Sequence, residues 1–213
     1  MSEVENWFYM TRAERACKAL IKNDFDAVVA PNAEEAANLV MQYIKPGASV
    51  GFGGSMTVRA LGLQEKAVAA GAKLLDHNAA GLTPEEKRKI LLSQLTCDVF
   101  ISSANALTLH GEILNVDGNG NRVAALTFGP AKTIVVVGAN KIVADEEEGW
   151  ERIRAVAAPM NCRRLSKETP CAKVGQCTDC DSPQRICRIY QVLRRKPSLS
   201  DFTVILVAQR LGF

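Results

Sequence analysis

Hydrophobic and polar positions alternate along the chain with two different periods. From Val4 to Lys22 the apolar residues recur at helical spacing, which predicts an amphipathic helix. Asp26–Ala30 is short and apolar and reads as a strand. Asn32 then stands as a helix cap with Glu35 three positions on, a capping-box spacing. Ala48–Phe52 predicts a buried strand running directly into Gly51-Phe52-Gly53-Gly54-Ser55-Met56-Thr57, and a helix follows. A strand near Lys73–Asp76 leads to Thr83-Pro84-Glu85-Glu86, which combines a cap, a first-turn proline and a capping glutamate. Further strands are expected at Asp98–Ser102, at Thr133–Val137 and at the end of the chain, where residues 203–209 return to the sheet. Asn105 to Arg122 reads as a polar, glycine-rich connection, and the short helix after it is stopped by Gly129-Pro130. Asp145 with Glu148 caps another helix, so that acidic run balances a helix dipole and is not a metal site. After Pro159 the pattern breaks down. Short strands alternating with capped helices predict one layered α/β domain over residues 1–213, a sheet with flanking helices plus a small irregular cysteine-rich segment at 162–190.

Composition narrows the function classes. A chain of 213 residues with 47% hydrophobic residues can bury a full core, and 23% charged residues is ordinary for a globular protein. The net charge of +3 is dispersed, which argues against a nucleic-acid partner. Lys and Arg thicken after Cys162, at Arg163, Arg164, Arg194, Arg195 and Lys196, and this reads as a solvated surface. No apolar run approaches the ~20 residues needed to cross a bilayer, and Glu3, Glu5, Arg12 and Glu14 interrupt the N-terminal apolar residues, so neither a membrane span nor a signal peptide is expected. A cytoplasmic location follows as an expectation, and there clustered cysteines point to metal or catalysis before disulfides. A homodimer is the default assembly for this size.

Cys171, Cys177, Cys180 and Cys187 follow the spacing C-x5-C-x2-C-x6-C. Four thiolates at this density suit a [4Fe–4S] cluster or a zinc ion, and the single C-x2-C pair favours the cluster. Lys173, Arg185 and Arg188 would offset its charge. Cys17, Cys97 and Cys162 stand in apolar settings and read as packing residues.

Two glycine-rich loops offer a small-anion site. In the first, Gly51, Gly53 and Gly54 permit close backbone approach, while Ser55, Met56 and Thr57 open a helix whose N–H groups and hydroxyls are donors. It is neither a Walker A loop nor a dinucleotide fingerprint. The second, Asn115-Val116-Asp117-Gly118-Asn119-Gly120-Asn121-Arg122, also follows strand-like residues, and Arg122 supplies a forked cation for phosphate or carboxylate. Turn formation alone explains Asn-Gly and Asp-Gly dipeptides equally well. His77 and His110 lack a Ser or Cys partner at a recognisable spacing, so each reads as a surface or satisfied histidine and no nucleophilic triad emerges.

The run Ser103-Ala104-Asn105-Ala106-Leu107-Thr108, then Gly111, Asn115, Asp117 through Ala125, Gly129-Pro130, Val137-Gly138 and Asn140-Lys141, resembles the lactate-utilization (LUD) domain family. Pro159–Arg164, Thr169 through Cys187 and the ending Leu211-Gly212-Phe213 are similar to its longer branch. The resemblance implies a fold like that of ribose-5-phosphate isomerases and class I CoA transferases, with Gly51–Thr57 as the phosphate-type loop; Asn105 is a further candidate for the anion site. It also implies a role in using lactate or a related hydroxy acid, as a subunit of an oxidoreductase that passes electrons to redox partner subunits. Isomerases of that superfamily carry acidic residues after the central strand. Here Ser102-Ser103-Ala104-Asn105-Ala106 has none, with Asn105 where the methylthioribose-phosphate branch has Asp, and an amide is no general base. Glu112 is the nearest candidate for a CoA-transferase glutamate. The remaining readings are a regulatory binding module with structural zinc, and a transferase or isomerase of a phosphorylated or CoA-linked substrate.

Overall fold

The computed structural model describes residues 2–213. Helix α1 (Glu3–Lys22) begins at Ser2, whose hydroxyl accepts from the Glu5 N–H while the Glu5 carboxylate accepts from the Ser2 N–H. Then come β1 (Asp26–Ala30), α2 (Ala33–Met41), β2 (Ser49–Phe52), α3 (Met56–Ala60), α4 (Leu63–Ala69), β3 (Lys73–Leu75), α5 (Pro84–Ser93) and β4 (Val99–Ser102). The second half holds β5 (Ala106–Thr108), β6 (Ile113–Asp117), α6 (Asn121–Thr127), β7 (Lys132–Gly138), β8 (Ile142–Val143), α7 (Glu146–Arg152), a π-helical turn (Ile153–Ala157), α8 (Ala158–Arg164), α9 (Pro170–Val174), β9 (Ile189–Leu193) and β10 (Phe202–Val207).

Six strands form a parallel sheet in the order β1-β10-β7-β4-β2-β3. Successive side chains of its central strands enter opposite cores, as the two-residue period requires. Phe100, Val135, Val137, Phe202, Val204 and Leu206 pack with Ala13, Ala16, Cys17 and Leu20 of α1. Val99, Ile101, Ile134, Val136, Ile205 and Val207 pack with α2, α3 and α4 through Val40, Val58 and Leu63. Strands buried on both faces read as continuous apolar runs, which is why Thr133–Val137 and the final strand stand out in the sequence.

Two expectations are corrected. The stretch from Asn105 to Arg122 is a β5–β6 hairpin, part of a second sheet in the order β8-β5-β6-β9. Its strands are short, its glycines sit at the turns and Asn115 and Asp117 lie within β6 itself, so the polar composition conceals them. The segment after Pro159 is less irregular than its pattern suggests: α8, α9 and β9 all lie there, and β9 pairs with β6 from Ile189↔Asp117 to Leu193↔Ile113. That pairing fixes the cysteine-rich segment onto the loop after β6. Among the described residues no helix is long and apolar enough to cross a membrane.

Candidate functional site

The loops after β2, β3 and β4 leave the same edge of the parallel sheet, where ligands bind in open α/β folds. The loop after β2 is tightly packed. A Cβ on Gly53 would lie 2.4 Å from Ser102 Oγ, and one on Gly51 2.9 Å from Gln94 Cγ. Ser55 caps α3 by accepting from the Val58 N–H at 3.3 Å. Thr57 is fully buried and donates to the Leu211 carbonyl at 3.1 Å, while Met56 is half-buried. Of the first-loop candidates, Gly54 lines the cleft described below.

The loop after β6 is organised by one carboxylate. Asp117 Oδ2 accepts from the N–H groups of Arg122 and Val123, each at 3.1 Å, and so caps α6. Its Oδ1 accepts from Arg122 Nε at 2.9 Å, with Nη2 at 2.7 Å. Arg122 Nη2 also donates to Asn105 Oδ1 at 3.0 Å and to the Val116 carbonyl at 2.8 Å. Asn105 Oδ1 takes the Val116 N–H as well, at 2.8 Å. Asn105, Asp117 and Arg122 therefore form one clamp, largely buried, with most donors already used. Asn115 is fully buried, and among the described residues neither of its side-chain polar atoms has a hydrogen-bond partner. Gly120 turns the chain into α6 with φ of 84°, where a side chain would be strained. Both helix starts are capped from within: Ser55 engages the Val58 amide, and Asp117 engages the amides of Arg122 and Val123.

A cleft of about 480 Å³ opens beside this clamp. Asn105, Asp117, Gly118, Asn119, Asn121 and Arg122 line it, together with Arg59, His77, Asn78, Lys87, Asn161, Arg164, Lys167, Arg185 and Arg188. Asp117 is the one carboxylate among the lining residues, and Arg122 already neutralises it. Arg164 donates to Asn161 Oδ1 from Nε at 3.1 Å and Nη2 at 2.9 Å, and burial followed by the nearby Arg59 lowers its pKa. Burial and then Lys87 lower the pKa of His77. Arg185 has a single long ion pair, 3.7 Å from the exposed Asp179.

The composition had suggested a solvated surface for the basic residues near Cys162, yet Arg164 lies in the cleft. Nothing local marks it or Lys87, because tertiary packing of α5, α8 and the cysteine-rich segment brings them together. Lys141 closes the short turn 139–141 that follows β7. It is buried, with Nζ donating to Ser103 Oγ at 3.1 Å and the Ala104 carbonyl at 3.2 Å, and among the described residues it has no carboxylate partner. Burial, then Arg152 and Arg122, hold its pKa well below the usual lysine value.

The cysteine-rich segment forms a wall of the same cleft through Pro183, Gln184, Arg185, Ile186 and Arg188. Cys171 is buried and its Sγ lies 3.3 Å from Thr169 Oγ1, whereas Cys177, Cys180 and Cys187 are half-buried. Cys162, expected as a packing residue, is indeed buried, and its pKa is pushed up to about 11, chiefly by burial, with the Cys171 thiol nearby adding to the rise. The Asp179 N–H donates to Cys177 Sγ at 3.4 Å, and Arg185 donates to the Cys180 carbonyl at 2.7 Å and has its pKa raised by the nearby Cys187. Among the described residues no three His, Cys, Asp or Glu side chains converge tightly enough to hold a metal ion. The donor set is nevertheless all thiol, with N–H and guanidinium donors close by, the chemistry that thiolate-bound metals take.

A parallel α/β sheet with a cationic cleft at its carboxyl edge defines the class of protein. The LUD domain model matches residues 13–207, and the chain belongs to that family. A DUF162 family protein from Deinococcus radiodurans, 15% identical, superposes with a TM-score of 0.53 over 93% of this chain and 98% of its own, which extends the likeness to the whole fold. eIF2B beta from Chaetomium thermophilum is a more distant match, with a TM-score of 0.38 and 18% identity over 55% of this chain and 44% of its own. No curated protein sequence matches the chain.

Proposed function

We propose that this LUD-family protein binds a small phosphorylated or carboxylated ligand, a 2-hydroxy acid such as lactate among them, in the cleft beside the Asn105–Asp117–Arg122 clamp. The charge of the cleft carries the reading. Arg59, Lys87, Arg164, Lys167, Arg185 and Arg188 face it, and its one carboxylate is already paired. An anion there would relieve mutual repulsion and accept charge-assisted hydrogen bonds, each roughly twice as strong as a neutral one. The neighbouring cysteines support a redox role. Cys171, Cys177, Cys180 and Cys187 would hold a [4Fe–4S] cluster, which when bound supplies one-electron transfer. Arg185, close to Cys187 and lining the cleft, would then stabilise both thiolate and ligand. In this arrangement the chain serves as an electron-transferring subunit with redox partners. Sugar-phosphate isomerisation is less well supported, because Asp117 is held by Arg122 and by the α6 amides and is not free to abstract a proton.

Two measurements test the reading. Anaerobic purification with iron, sulfide and zinc analysis should give about four irons and four sulfides per chain and absorbance near ~400 nm. Stoichiometric zinc would make the thiol site structural, and absence of any metal would remove the redox role. Titration with orthophosphate and with L-lactate should show binding that weakens about tenfold in Arg164→Ala, the loss of one charge-assisted contact. If neither anion binds, the cleft reading fails.

A further inference from the structure

A second cavity, of about 630 Å³, lies on the other side of Asn105, between α1, the α7–π-helix segment and residues 209–213. Its volume is in the usual range for small-ligand sites, ~300–1,000 Å³. Arg12, Arg152 and Arg210 line it, and among the described residues none of the three pairs with a carboxylate. Each is anchored by a neutral acceptor instead. Arg12 Nη2 donates to the Ile142 carbonyl at 2.7 Å, and its guanidinium lies 5.4 Å from the Phe8 ring centroid. Arg152 donates to the carbonyls of Asn140 and Asn105, and Arg210 to the Tyr9 hydroxyl at 3.3 Å. The two acids in the lining are committed elsewhere: Glu148 accepts from the Ala144 N–H, and Glu151 pairs with Arg154 at 3.0 Å. The rest of the wall is apolar, with Phe8, Val156, Met160 and Phe213. Phe8 and Met160 are each 46% exposed, a cost that an apolar occupant would remove. The π-helical turn supplies Val156, and such turns interrupt α-helices frequently at functional sites.

We propose that this cavity binds an amphipathic carboxylate, an acyl or aryl acid whose carboxylate meets the three guanidiniums and whose apolar body covers Phe8, Val156, Met160 and Phe213. Arg152 and Arg210 stand close enough that Arg210, after burial, lowers the pKa of Arg152, and neither forms an ion pair among the described residues. A carboxylate offsets that repulsion and matches the planar, forked geometry of guanidinium. An apolar tail adds about 0.8 kcal/mol per methylene that leaves water. A small inorganic anion would satisfy only the first of these two halves.

Calorimetric titration of the full chain with octanoate tests the proposal, with octan-1-ol and acetate as half-probes and orthophosphate as the probe of the first cleft. Octanoate should bind saturably at one site, and each half-probe at least about tenfold more weakly. Arg210→Ala, at an exposed position, should weaken octanoate about tenfold and leave orthophosphate binding unchanged. Met160→Asp should abolish octanoate binding at an unchanged melting temperature. Octanol binding as tightly as octanoate, non-saturable uptake, or octanoate affinity unchanged in both variants overturns the proposal. Orthophosphate reads the first cleft separately, so failure of either site is visible by itself.

Discussion

The loop after β2 and the loop after β6 both leave a strand, both carry glycines and both open a short helix, yet they use their polar groups differently. In the first, small residues let the chain pass against its neighbours: Gly53 lies on Ser102, and the Thr57 hydroxyl serves the Leu211 carbonyl. In the second, glycines turn the chain so that Asp117 reaches two amides of α6 and the guanidinium of Arg122. The first loop is held by shape and the second by charge. A glycine-rich turn is thus compatible with a packing role or a clamp, and the deciding factor is what the rest of the fold places against it.

Asp117→Asn attacks the charged loop at its centre. Arg122 loses its carboxylate while staying largely buried, so stability should fall by roughly 3 kcal/mol in denaturant unfolding. A change under about 1 kcal/mol would show that the clamp is replaceable by neutral hydrogen bonds. Gly53→Ala attacks the packed loop and should cost about 2 kcal/mol through overpacking against Ser102, with the paired Gly53→Ala/Ser102→Gly variant recovering much of it. If the single variant melts like the parent, close approach does not constrain this loop.

A pH effect of smaller size reports on the cleft between them. His77 has its pKa lowered in the folded protein by burial and Lys87, so the unfolded chain binds its proton more tightly. Its contribution is present above the unfolded value of ~6.5 and is lost as pH falls through the lower folded value. His77→Gln should therefore flatten the stability loss on acidification below about pH 6.5, and an unchanged slope there would remove His77 as its source. Gly54→Ala should have the smallest effect, within about 0.5 kcal/mol, because a Cβ there meets open space. A larger loss would mean that the first loop needs more than room at Gly53.

Much of the fold was legible because it depends on local chemistry. The Thr83–Glu86 capping box appears in both directions, Asn32 and Asp145 cap their helices, Asp26–Ala30 has its predicted limits, and the last strand lies within two residues of its own. The cleft was legible only in part. Asp117 and Arg122 could be named from one loop, but the clamp between them replaces the free cation that the sequence suggested. Arg59, Lys87 and Arg164 belong to three separate helices or their ends, and no local pattern relates them.

By itself the sequence determined the strands of the parallel sheet, the capped helix starts and the four-cysteine spacing, since each follows from neighbouring residues and the period of the backbone. The tertiary structure decided what those pieces meet. It inserted β10 between β1 and β7, laid β9 along β6, put Cys162 against Cys171 and gathered cations from distant segments around one neutralised carboxylate. Charge and burial act through space, across separations that the order of residues along the chain does not encode.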